Sequence, residues 1–77
     1  MSNKQYIDML KEDFDTYASV ANGAARYMRQ IITEDEEAYD SRLELKLKLE
    51  DSGIEIEDSK LDDFLHDVVE DIYFGTD

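Results

Sequence analysis

The chain has 77 residues, one domain spanning 1–77, and can bury only roughly 60% of its unfolded surface. It has no Cys, which excludes disulfides and thiolate metal sites, and no Pro, which leaves long helices open to it. With 21 acids against 8 bases the net charge is −13, which repels phosphate and disfavours direct nucleic-acid binding.

Residues 4–32 read as one long helix. Tyr6, Leu10, Phe14, Tyr17, Ala21, Ala24, Met28 and Ile31 recur in steps of three and four, and Met9, Val20 and Tyr27 widen that stripe. Ser2 or Asn3 can cap its start. Asn22-Gly23 is its weak point, since glycine costs about 1 kcal/mol against alanine. Either the helix bends there, or the small residues Ala18, Ala21, Gly23, Ala24 and Ala25 let another helix come close. The packing reading is preferred.

A second helix is expected over 34–50. Thr33 with Glu36 has capping-box spacing, and acids in the first turn suit the helix dipole. Within it, Leu43, Leu45, Leu47 and Leu49 alternate with Glu44, Lys46 and Lys48. Ile54 and Ile56 resume the alternation after Gly53. Such a pattern also fits a short β-hairpin at 43–56. The Leu, Lys and Glu content favours the helix, with Gly53 just past its end. A third helix over 58–74, capped by Asp58 or Ser59, carries Leu61, Phe64, Leu65, Val68, Ile72 and Tyr73 on one side and stops at Gly75. The expected fold is therefore mainly α, with about three helices. The 42% hydrophobic content, with its helical spacing, argues against disorder.

Charge is distributed unevenly. Residues 1–33 are neutral, with Asp8, Glu12, Asp13 and Asp15 balanced by Lys4, Lys11, Arg26 and Arg29. Residues 34–77 hold the other 17 acids and four bases, so the whole surplus lies there. Such self-repulsion destabilises a compact state, which argues that the acids serve a function.

Catalytic chemistry finds no support. His66 is the one histidine, and no nucleophile or orienting partner accompanies it, so no catalytic residue is assigned and the protein is not expected to be an enzyme. Residues 50–58 (EDSGIEIED) resemble a calcium loop in composition but lack its ligand spacing, so no metal and no cofactor is expected. No apolar run exceeds three residues and Met1–Lys11 has no signal-peptide pattern, so a membrane partner is not expected and the cytoplasm is.

The acids carry the functional expectation. Duplex DNA bears one charge per ~1.7 Å of axis, and seventeen carboxylates on two short elements approach that density. The candidate contacts are Glu34, Asp35, Glu36, Glu37, Asp40, Asp58, Asp62, Asp63, Asp67, Glu70 and Asp71, with Tyr39 and Tyr73 at the rim. The expected partner is a basic DNA-binding protein or nuclease, inhibited by a mimic of DNA. The alternative is a protein–protein regulator, an antitoxin or transcription-factor antagonist, that binds through the neutral first helix.

The segment Leu47-Lys48-Leu49-Glu50-Asp51-Ser52-Gly53-Ile54 resembles the phage Ocr-like anti-restriction proteins, which have an apolar-x-apolar-EDSG-apolar run before a long acidic helix. Ala21-Asn22-Gly23-Ala24, with Tyr27 and Ile31, is similar to their Ala- and Tyr-bearing helix, and the likeness covers residues 20–73. This chain lacks their longer acidic C-terminal extension. The resemblance implies a mainly helical DNA mimic, with a homodimer as one assembly open to it, acting in the host-cell cytoplasm on a restriction or CRISPR-type nuclease.

Overall fold

In the computed structural model, which describes residues 2–75, helix α1 (Asn3–Lys11) starts at a capping box. The Ser2 hydroxyl accepts the Gln5 N–H, and the Gln5 side chain accepts the Ser2 N–H at 2.8 Å. The expected helix 4–32 is two helices. Asp13 adopts an extended backbone, and its carboxylate accepts the N–H and hydroxyl of Thr16, capping α2 (Phe14–Ile32). Apolar spacing from Leu10 through Phe14 to Tyr17 runs across the break and hides it. Phe14 sits at the first position of α2 and is 68% exposed, so it leaves the stripe, as does the exposed Ile31.

Gly23 does not interrupt α2. A Cβ there would stand 2.8 Å from Leu45 Cδ2, so the glycine lets α3 (Ala38–Asp51) come close, as the packing reading expected. Within α3 the alternating leucines wind into a helix, and no strand forms among the described residues. Leu45 and Leu49 are buried against the core, while Leu43 and Leu47 are about half exposed. The expected start at 34 moves to Ala38. The Thr33 hydroxyl donates to Arg29 O and Gln30 O, closing α2 instead of opening the next helix, so the Thr33–Glu36 box does not form.

Helix α4 (Asp58–Phe74) begins after Glu57, whose backbone is extended and whose side chain makes no cap hydrogen bond. Neither Asp58 nor Ser59 is the cap, since both lie inside the helix. Gly75 ends α4 in the left-handed conformation, as its position implied.

Helix α2 packs against the other three helices, and α1 also touches α4. Val20, Ala21 and Ala24 of α2 share one core with Leu61, Phe64, Leu65 and Val68 of α4, and Ile7, Leu10, Tyr17, Tyr27, Leu45, Leu49 and Ile54 complete it. Tyr6 stands edge-on to Phe64 with ring centroids 6.1 Å apart. Tyr73, expected in the α4 stripe, is more than half exposed. Among the described residues, no helix is long and apolar enough to cross a membrane.

Candidate acidic interface

The acidic residues fall into two groups with different surroundings. The first group is held by the rest of the fold. Arg42 of α3 bridges through Nε to Asp62 of α4 at 3.2 Å, and its Nη2 donates to Asp58 O at 2.6 Å. Tyr27 of α2 donates its hydroxyl to the same Asp62 carboxylate at 2.9 Å, so three helices converge on one side chain. Lys46 pairs with Asp58 at 2.5 Å. At the other end of α4, Asp71 binds Lys11 of α1 at 2.8 Å and accepts the Tyr17 hydroxyl. Asp67 accepts from the Asn3 amide at 2.8 Å, and His66 lies 3.2 Å from Glu70 one turn along.

Titration follows from these partners. The hydrogen bond from Lys46 and its positive charge hold Asp58 below the ordinary carboxylate range. Hydrogen bonds from Lys11 and then Tyr17 lower Asp71, outweighing the opposing effect of burial. Burial, and then the neighbouring carboxylate, push both phenols up: Tyr17 beside Asp71 and Tyr27 beside Asp62. Burial opposes the Arg42 charge, yet its hydrogen bond with Asp62 and the carboxylate's charge raise it.

The second group is the turn between α2 and α3 with the start of α3. Glu34, Asp35, Glu36, Glu37 and Asp40 are all exposed, and none pairs with a lysine or arginine among the described residues. Asp35 uses one oxygen to accept the Glu37 N–H at 2.9 Å, which fixes the turn. Tyr39 stands exposed beside them, and Asp63 is exposed on α4 without such a partner.

The expected contact set is therefore divided. Asp58, Asp62, Asp67, Glu70 and Asp71 have partners within the fold, and Asp67 and Asp71 are partly buried. The turn acids and Asp63 remain free to meet a partner. Among the described residues, His66, Asp67 and Glu70 form the group whose ligand atoms, within 4.8 Å of one another, could hold a metal ion. Each of the three already has a partner in the fold.

Tyr73 departs from the acidic rim. Its hydroxyl donates to Asn22 at 3.1 Å, and its ring lines an apolar groove with Ile32 and Phe74. That groove was not read from the sequence. The signal available was Ile31-Ile32 at the end of one helix and Tyr73-Phe74 at the end of another.

No protein-family model, curated protein or solved structure matches the chain. The segment resembling the Ocr-like proteins lies at the end of α3 and its cap. Leu49 and Ile54 of that segment are core residues.

Proposed function

We propose that this protein binds a basic DNA-binding protein or nuclease as a DNA mimic, presenting the α2–α3 turn and the outer face of α4 in place of phosphates. Acting as an inhibitor of a host nuclease, as the Ocr-like resemblance implies, it needs no catalytic group. The supporting observation is the exposed, unpaired set Glu34, Asp35, Glu36, Glu37 and Asp40, on a chain of net charge −13. Long-range attraction from such a cluster speeds capture of a cationic surface and weakens as salt screens it. The test is to immobilise the protein, capture partners from lysate at low salt, and elute with duplex DNA. Elution of the captured protein by DNA supports the reading. A partner that holds DNA and this protein together without mutual weakening defeats it.

A second reading is a regulator of the antitoxin or transcription-antagonist kind. It is favoured by the exposed apolar side chains at the C-terminal end of α2, where Ile32 is 81% exposed. The contact would lie on α2 and α4, not along a single neutral first helix.

A further inference from the structure

Residues from the C-terminal halves of α2 and α4 line a shallow, open groove of about 400 Å³. Met28 and Ile32 line it from α2, and Val69, Tyr73 and Phe74 from α4. Ile32 and Phe74, two large side chains with no polar atom, both line the groove and are 81% and 74% exposed. Exposed apolar surface gathered into one place marks an interaction site more often than scattered residues do. The Tyr73–Asn22 hydrogen bond braces one wall, and Gly75 ends α4 directly after Phe74.

Arg29 is the one charged residue lining this groove. It is exposed and forms no ion pair among the described residues, although the chain has 21 acids. Its place in the last turn of α2 suits the helix dipole, which accounts for a cation there. The dipole does not account for the apolar side chains gathered around it.

We propose that the groove receives an apolar helical segment of a partner protein that carries a carboxylate opposite Arg29. Two neighbouring helices leave a channel that suits an amphipathic helix with anchors at i, i+3 or i+4, and i+7. An occupant with no charge would bury the guanidinium without a counter-ion, and a basic one would meet it as a like charge. A second copy would bring together two chains of charge −13, whose mutual repulsion opposes association. The inference rests on the regulator reading and is independent of the carboxylate surface.

The test is selection of binders from a random helical-peptide library displayed on phage, using the full chain as bait. The same pool is then screened against Ile32→Asp with Phe74→Asp, and separately against Arg29→Glu. Both apolar positions are largely exposed, so circular dichroism should show the variants folded. Enriched peptides should carry an apolar stripe with Asp or Glu. They should bind the double variant at least about tenfold more weakly, a loss of roughly 1.4 kcal/mol. Arg29→Glu should turn the selected preference from acidic to basic peptides.

Groove-bound peptides that are basic or uncharged overturn the charge assignment and leave the regulator reading standing. Binders indifferent to the double variant, or no binders at all, defeat both. Concentration-dependent dimerisation abolished by the double variant would assign the groove to a second copy and overturn the proposal.

Discussion

Two helices of this protein end with the same hydrogen bonds and opposite residue choices. At the end of α3, Gly53 N–H bonds to Glu50 O at 3.0 Å and Ile54 N–H to Leu49 O at 2.9 Å. At the end of α2, Glu34 N–H bonds to Ile31 O at 3.1 Å and Asp35 N–H to Gln30 O at 2.8 Å. Both are Schellman caps, which place one residue in the left-handed region. The first cap puts glycine there, at φ 84°, and the second puts Glu34 there, at φ 57°. In the first, Ile54 then folds back onto Leu49 in the core. In the second, Asp35 and the acids after it point into water. One connection follows the rules of stable capping. The other accepts backbone strain on the order of 1–2 kcal/mol and gathers unpaired negative charge. Departures of this kind from local rules are expected at functional sites, which supports the α2–α3 turn as the contact region.

The sharpest way to separate the two caps is to truncate the residue that follows the left-handed position. Ile54→Ala removes a buried side chain, and such truncations cost about 2–5 kcal/mol. Small domains have about 5–15 kcal/mol in all, so a large fraction of the stability should go. Asp35→Ala removes an exposed side chain and one local hydrogen bond, and should cost about 1 kcal/mol or less. Urea unfolding of both variants measures the difference. Equal losses would mean that the α2 cap supports the core as much as the α3 cap does.

Next in size are the carboxylates that have partners. Asp71→Asn weakens the ties to Lys11 and Tyr17, and should cost about 1–2 kcal/mol at neutral pH. The sign with pH follows from its lowered pKa. The stabilisation is complete above the ordinary value of 3.8, and is lost as pH falls through the lower folded value. The gap between wild type and Asp71→Asn should therefore close in acid. Tyr17 and Tyr27 act at the other extreme. Their phenols are raised from 10.0, so their contribution is complete below that pH and declines as the unfolded chain ionises above it. Each should steepen the loss of stability by up to about 1.4 kcal/mol per pH unit in alkali. Tyr17→Phe and Tyr27→Phe should each remove one such slope from the alkaline unfolding curve.

The left-handed residues themselves come third, with opposite signs. Gly53→Ala should destabilise by about 1 kcal/mol or slightly more, because a Cβ is strained at that φ although nothing lies within 4 Å of it. Glu34→Gly should stabilise by up to about 1 kcal/mol for the same reason. Thermal unfolding of the two variants reads both signs. Loss of stability in Glu34→Gly would remove the argument that this turn is strained.

How far these features could be read from the sequence depends on whether they are local. Gly75 as a helix end, Gly53 as a helix end in preference to a hairpin turn, Ser2 as one of two candidate caps and Gly23 as a close contact in preference to a bend follow from neighbouring residues, and the structure agrees. The break at Asp13 was also local, but a continuing apolar stripe concealed it. Thr33 misleads because a threonine before acids has the same spacing whether it closes one helix, as here, or opens the next. The division of the acids into tied and free could not be read at all. Arg42 reaches Asp62 twenty residues away, and Lys11 reaches Asp71 sixty residues away, and only the packing of four helices brings them together.

The smallest expected effect on stability is paired with the largest expected effect on binding. Glu36→Gln with Glu37→Gln replaces two exposed acids that have no lysine or arginine partner, so stability should change by no more than about 0.5 kcal/mol. Relief of like-charge repulsion favours a gain, and loss of negative charge at the N-terminus of α3 opposes it, so the two effects largely offset. If this turn stands in for phosphates, the same double variant should weaken capture of the basic partner, most strongly at low salt where the attraction is least screened. Asp62→Asn is the informative contrast. It removes the same kind of charge from α4, but also loosens Arg42 and Tyr27, so stability and binding should fall together. Measuring unfolding and partner association for both variants at two salt concentrations distinguishes a contact carboxylate from a structural one. A double Gln variant that binds as well as wild type at low salt would show that the strained turn holds its acids for some purpose other than the basic partner.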